Sequence, residues 1–255
     1  MPYASVNGIQ LYYEEHGKGD VIVFAHGRGG NHLSWWQQVP DFAQDHRCIV
    51  FDHRSFGRSR DAPQAVGQDA FVQDLAALLD HLGIEQAHLV AQSMGGRTCL
   101  GFALAHAHRT RRLVLADTTA GIVDEELNRL TGERGPPPED LLTRVLSAGF
   151  RRREPMLTFL YQSIEALNHT DNKPTRLVEG GPSRVVLKQC NVPVLLVAGD
   201  QDPLVPQSAM TLMASMLPYA VTRTIDDAGH SAYFERPAVF NRLVRSFLTG
   251  TSQEQ

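Results

Sequence analysis

Three side chains far apart along the chain could together perform acyl transfer: a serine, a histidine and an aspartate. The serine is Ser93, within Leu89-Val90-Ala91-Gln92-Ser93-Met94-Gly95-Gly96. A buried strand reads there into a sharp turn, and the turn into a helix running through Thr98, Cys99 and Phe102. A serine on such a bend has a crowded backbone, so its neighbours two residues away must be small. Gly95 meets that demand after the serine and Ala91 before it, giving G-x-S-x-G with alanine in the first slot. The bend exposes a hydroxyl without making it mobile. It also puts the Met94 N–H at a helix N-terminus, where developing negative charge is stabilised.

A serine hydroxyl is a poor nucleophile at neutral pH and needs a base, itself oriented by an acid. On a strand–turn–helix serine the expected chain order is serine, acid, histidine. His230, in Asp226-Asp227-Ala228-Gly229-His230-Ser231, follows a late strand and is the candidate base. His26 and His53 precede Ser93 and read as turn residues bonded to backbone, while His88 opens a strand. Asp202, in Gly199-Asp200-Gln201-Asp202-Pro203, is the candidate acid, with Asp200 and Asp117 as rivals. The glycine-rich run His26-Gly27-Arg28-Gly29-Gly30 can curl around an oxygen and offer the Arg28 N–H opposite that of Met94. The Arg28 side chain has two readings: into the pocket, favouring an anionic substrate, or into solvent. Trp35 and Trp36 are candidate pocket walls, with at least one of them expected in the core.

Positioning these groups requires a particular order of elements. Residues 4–16 alternate around Asn7-Gly8 as a hairpin. The continuous apolar run at 21–25 reads as a strand covered on both faces, 48–52 as the next buried strand, and the stretch from Leu89 to the serine bend, 112–117, 192–198 and 221–225 as further strands. Helical patterns occupy about 33–45, 69–82, 207–217 and 238–248, with Gly83 ending the second. Strands alternating with helices imply a mostly parallel sheet covered by helices, an α/β fold. Residues 121–188 lack strand-like runs, contain Gly135-Pro136-Pro137-Pro138, and show helical patches at 124–131, 139–150 and 155–168. Inserted before the strand at 192–198, such a stretch would lie over the carboxyl ends of the strands as a lid. The other reading is an ordinary extension of the helical cover. The division expected is thus a core of 1–120 and 189–255 with a lid of 121–188.

The 255 residues can bury one large core, and 42% hydrophobic with 20% charged residues suits a globular chain. A net charge of −4 gives no electrostatic footprint for nucleic acid. Cys48, Cys99 and Cys190 have no metal-like or pairing spacing, which suits a reducing compartment, and the first two read as small core residues. The first residues carry no apolar signal segment and no run reaches membrane-spanning length, so a cytoplasmic location is the expectation. Asn168-His169-Thr170 matches a glycosylation acceptor by chance on this reading.

Five motifs in this order resemble the α/β-hydrolases, in particular their small, lidded esterase and lactonase branch. They are Ala25-His26-Gly27, Phe51-Asp52-His53-Arg54-Ser55-Phe56-Gly57-Arg58-Ser59, Gln92-Ser93-Met94-Gly95-Gly96, Gly199-Asp200-Gln201-Asp202-Pro203 and Ala228-Gly229-His230. The resemblance covers about 20–120 and 190–250, and implies a predominantly eight-stranded sheet. Ala91 departs from it where glycine is usual, and so does Ser55 in the pattern D-x-R-G-x-G-x-S. The lid carries no such resemblance. The function expected is hydrolysis of a small ester or lactone by Ser93, His230 and Asp202, with no metal or organic cofactor and no nucleic-acid or membrane partner. Two rivals stand beside it. One uses the same residues for carbon–carbon hydrolysis, perhydrolysis or cofactor-free oxygenation; the other is a small-molecule receptor with slow turnover.

Overall fold

The protein is described here from a computed structural model covering residues 3–60, 70–133, 139–168 and 180–250. The expectations on Asp69, on Gly135-Pro136-Pro137-Pro138 and on His169-Thr170 fall outside these residues.

Asn7 and Gly8 both take positive φ, 47° and 77°, as a two-residue hairpin turn requires, and join β1 (Tyr3–Val6) to β2 (Ile9–His16). The expected strands become β3 (Asp20–Ala25), β4 (His46–Phe51), β5 (Ala87–Gln92), β6 (Thr110–Ala116), β7 (Val194–Gly199) and β8 (Ala220–Ile225), the last an edge strand exposed over 221–224. All eight strands form one sheet in the order β1-β2-β4-β3-β5-β6-β7-β8. The β1–β2 and β2–β4 pairs are antiparallel, and every other pair is parallel.

Successive strand residues point to opposite faces, and both faces are apolar. Ile22, Phe24, Val90, Val114 and Val197 pack in one core with Trp35, Phe42 and Phe240. Val23, Leu89, Leu115 and Leu196 pack in the other with Leu75, Phe102 and Met210. Cys48 lies in the first core and Cys99 in the second. At roughly 1.5–3 kcal/mol for each large side chain fully buried, these two layers are the main stabilisation of the sheet.

The helices are α1 (Val39–Phe42), α2 (Phe71–His81), α3 (Met94–Ala105), α4 (Glu125–Gly132), α5 (Leu141–Val145), α6 (Ala148–Arg153), α7 (Pro155–Ala166), α8 (Arg184–Leu187), α9 (Gln207–Met216), α10 (Ala232–Glu235) and α11 (Pro237–Thr249). Five of them, α4 to α8, stand between β6 and β7 in the chain.

Two helix expectations need correction. The stretch expected to be helical from 33 to 45 is a short 3-10 turn, His32–Trp35, followed by the single turn of α1. Asn31 closes a capping box with Ser34 on the first, and Pro40, which has no N–H, forces a fresh start for the second. The patch at 139–150 splits into α5 and α6. Ser147 is extended there, and its side chain accepts the Phe150 N–H as the cap of a new helix. A buried bidentate pair ties the loop after β4 to α2: Arg54 Nε and Nη2 donate to Asp74 at 2.6 and 2.7 Å. Asn7 Nδ2 donates to the same carboxylate at 2.9 Å, holding the hairpin against it.

Candidate active site

The chain leaves β3 toward β4 on one side and leaves β5 toward β6 on the other, so the carboxyl ends of β3 and β5 flank a switch point. Such crevices are where open α/β sheets bind ligands. The register pairs Ala25 with Ala91, so the loop starting at His26 and the bend at Ser93 emerge side by side.

Ser93 has φ 49° and ψ −116°, a backbone that costs on the order of 1–3 kcal/mol for a residue other than glycine. The neighbouring strand holds it there. The Ser93 N–H donates to the Ala116 carbonyl at 3.0 Å, and the Thr118 hydroxyl donates to the Ser93 carbonyl at 2.6 Å. The motif glycines are steric necessities: a Cβ on Gly95 would lie 2.3 Å from the Ala25 carbonyl oxygen, and one on Gly27 1.9 Å from Gln92 Oε1. Close approach of this kind sets the Arg28 loop against the opening of α3. Among the described residues, neither the Arg28 N–H nor the Met94 N–H donates to a backbone carbonyl. Met94 opens α3, where the first N–H groups have no helical partner.

The imidazole of His230 lies between Ser93 and Asp202. Its Nε2 is 2.9 Å from Ser93 Oγ and its Nδ1 is 2.9 Å from Asp202 Oδ2. With the proton on Nδ1 donated to the carboxylate, Nε2 is left to accept from the serine hydroxyl. Asp202 is buried, and its Oδ1 accepts the N–H groups of Leu204 and Val205 at 2.7 and 3.1 Å. Burial disfavours the His230 imidazolium, but the charge and hydrogen bond of Asp202, with the charge of Asp117, outweigh it and raise the pKa above the ordinary value.

The two rival acids have other partners. Asp200 accepts the Ala228 N–H at 3.2 Å. Asp117, fully buried, accepts from the N–H groups of Gly199 at 2.9 Å and Ala232 at 3.2 Å. Burial and the nearby Asp202 charge push the Asp117 carboxyl well above the usual range.

Four supports were not foreseen in the sequence. Gln92 Nε2 donates to the His230 carbonyl at 2.8 Å, so the residue beside Ser93 also fixes the histidine loop. A polar residue closing an apolar strand was a signal for this role, because a buried amide must find partners. Glu235 accepts from the Gly229 N–H at 2.8 Å and from the Ser147 hydroxyl at 2.6 Å, joining the histidine loop to α6. Asn168 donates to the Gly29 carbonyl and accepts from the Gly57 N–H, both at 2.7 Å, joining the end of α7 to two loops at the strand ends.

The fourth support is a pair of buried histidines. His26 Nδ1 donates to the Gly27 carbonyl at 2.8 Å, leaving Nε2 to accept from the His53 N–H at 3.0 Å. His53 Nδ1 lies 3.1 Å from that same atom, and His53 Nε2 lies 3.0 Å from Thr98 Oγ1 on α3. The sequence suggested backbone partners alone; the two rings also bond each other, and so link the Arg28 loop to the helix that begins at Met94. Burial lowers the His26 pKa to about 4, and burial together with His26 holds His53 well below the ordinary histidine value.

Two hollows meet at Ser93. The larger, about 470 Å³, lies between the strand ends and the inserted helices, which contribute Leu141, Arg144, Val145, Tyr161 and Glu165. The smaller, about 360 Å³, is bounded by Met94, Arg97, Thr118 and Thr131. Arg28, Ser93, Leu204 and His230 line both.

The tryptophan expectation is corrected: neither Trp35 nor Trp36 lines either hollow. Trp35 is fully buried against Phe24, Tyr233 and Phe240, and Trp36 packs on Phe234 at the surface. Trp35 closes the capped turn and enters the core beside α11, as expected of at least one of the two, while Trp36 just after it stays at the surface.

Comparison with known proteins places this geometry in a lineage. The family model for the alpha/beta hydrolase fold matches residues 20–163, and one described as TAP-like protein matches 171–255. The chain is 31% identical to "Putative carbamate hydrolase RutD" of Azorhizobium caulinodans, across 97% of this chain and 98% of that one. It is 27% identical to "3-oxoadipate enol-lactonase 2" of Acinetobacter baylyi, across 94% and 93%. The crystal structure of the enol-lactonase from Burkholderia xenovorans LB400 superposes with a TM-score of 0.82 at 26% identity, covering 97% of this chain and all of that one. The chain belongs to the α/β-hydrolase family and is a hydrolase.

Proposed function

We propose that this hydrolase cleaves a carboxylic ester or lactone of a small metabolite through an acyl-enzyme formed on Ser93. The observation that carries this reading is the chain of contacts Ser93 Oγ to His230 Nε2 to Asp202, at 2.9 Å in each step. Ser93 Oγ bonds to the carbonyl carbon while its proton passes to His230 Nε2. Asp202 holds the ring in the tautomer that can accept it and stabilises the imidazolium. The oxyanion meets the N–H groups of Arg28 and Met94, each such donor contributing about 2.7–4 kcal/mol to the transition state. His230 then gives its proton to the departing alkoxide. Water attacks the acyl-enzyme with His230 as base, and the acid leaves as the Ser93 hydroxyl is restored. In this reading residues 1–120 and 189–255 are the catalytic core, and 121–188 form a cap over the larger hollow. The names of the enol-lactonase relatives are in keeping with the bond proposed.

Ser93→Ala is the test. Turnover of activated esters should fall by roughly a million-fold, to the level left by binding and oxyanion donors alone, with the melting temperature preserved. Ordinary activity in that variant would remove Ser93 from the reaction. A wild-type enzyme that turned over vinylogous diketones and left esters and lactones intact would move the proposal to carbon–carbon bonds.

A further inference from the structure

Resting on the reading of Ser93 as nucleophile, we propose that the substrate carries a carboxylate, bound by the Arg28 guanidinium on the core side of the larger hollow and by Arg144 on the facing helix. The substrate class is therefore a half-ester or lactone of a dicarboxylic acid. Arg28 is exposed and lines both hollows at the point where they share Ser93 and His230. Other arginines of the described chain, such as Arg47, Arg111, Arg184 and Arg245, meet carboxylates. Arg28 meets none among the described residues.

Arg144 enters the larger hollow from α5, held by its Nη2 on the Glu139 carbonyl at 2.9 Å. Glu165 is the one carboxylate among the residues lining that hollow. Among the described lining residues an anion entering it meets the guanidinium groups of Arg28 and Arg144 and the like charge of Glu165. The guanidinium fork matches a carboxylate in two parallel hydrogen bonds. Phe56, Leu141, Val145 and Tyr161 line the same hollow and offer apolar surface for a short methylene chain. A charged hollow also concentrates counter-charged ligands, so the capture rate should fall with salt.

The experiment compares the 4-nitrophenyl monoester of glutaric acid with the neutral 4-nitrophenyl pentanoate, in wild type, Arg28→Met, Arg28→Lys and Arg144→Met. Wild type should prefer the anionic ester in kcat/KM by at least about tenfold, the effect of one charge-assisted hydrogen bond. That ratio should fall about 10- to 100-fold in Arg28→Met, less in Arg28→Lys and Arg144→Met, and should shrink in salt. Equal kcat/KM for the two esters, or a ratio untouched by all three substitutions and by salt, overturns the anion subsite and leaves the serine mechanism standing. If wild type hydrolyses neither ester, the mechanism fails instead. Calorimetric binding of glutarate to Ser93→Ala then reads the subsite alone: binding weakened by Arg28→Met supports it, and no binding overturns it. Should Arg28→Met fail to fold, Arg28→Lys and the salt dependence decide.

Discussion

Replacing His53 with phenylalanine should make the protein less stable near neutrality and remove that disadvantage in acid. His53 sits among aromatic rings, with Phe51, Phe71 and His26 at centroid distances of 4.7, 4.6 and 4.5 Å, so a phenyl ring fits the shape. The backbone N–H bond to His26 survives, while the buried Thr98 hydroxyl loses its partner, a cost of about 1–3 kcal/mol. The folded pKa of each histidine lies below the unfolded value of 6.5. The unfolded chain therefore takes up protons that the folded chain refuses. Their contribution to stability is complete above pH 6.5 and drains as pH falls toward the folded value. Each such histidine steepens the loss by up to ~1.4 kcal/mol per pH unit. For His26 the span from 6.5 to about 4 amounts to roughly 3 kcal/mol. In His53→Phe one of the two contributions is gone. Urea unfolding at a series of pH values, followed by the fluorescence of the buried Trp35, gives both stability curves. They should converge or cross below pH 6.5. Groups remote from the pair titrate alike in both proteins, so curves that stay parallel would refute the coupling of this pair to the fold.

Asp202→Asn should lower kcat by about 10⁴, the cost of holding an imidazole in the wrong tautomer. Asp117→Asn should instead lose about 1–3 kcal/mol of stability, by weakening one of two backbone bonds, with kcat within about tenfold. Steady-state rates and melts of the two variants check this, and the opposite pattern would transfer the orienting role to Asp117. Ser55→Gly should raise the melting temperature. Ser55 has φ 69°, a conformation costing roughly 1–2 kcal/mol, against which the extra freedom of an unfolded glycine offsets about 0.5–1 kcal/mol. The backbone net, about 0–1.5 kcal/mol before any loss of side-chain contacts, is at most about 6 °C in a calorimetric scan of a chain this size; a lower melt would mean that the serine side chain contributes more than its backbone costs.

Much of the arrangement was legible because it is written in local chemistry. The Ser93 bend announces itself through small neighbours, and the central strands such as β5 and β7 through apolar runs that admit no exposed face. Asp202 and Asp200 are only two residues apart, so sequence favours a loop and geometry chooses the carboxylate: Asp202 meets His230 and Asp200 meets the Ala228 N–H. What stayed hidden depends on contacts between distant segments. Nothing near Glu235 in the chain points to Ser147, 88 residues earlier. The His26–His53 bond spans 27 residues, and each histidine alone looks like a turn residue. Trp35 and Trp36 were misplaced for a similar reason, since a short capped turn rather than a continuous helix aims them.

The helices between β6 and β7 meet the core through Asn168, the Ser147–Glu235 and Asn31–Ile164 bonds, the Arg153–Asp227 pair, the Tyr161–Ser231 contact at 3.1 Å, and the apolar packing of Val145, Phe150 and Ile164. On the proposed reading the bond-making groups sit on the strand-end loops, and the helices between β6 and β7 add one wall of the ligand's surroundings. A descendant of this chain could acquire a new diet by rewriting α4 and α5 while inheriting its reactive machinery untouched.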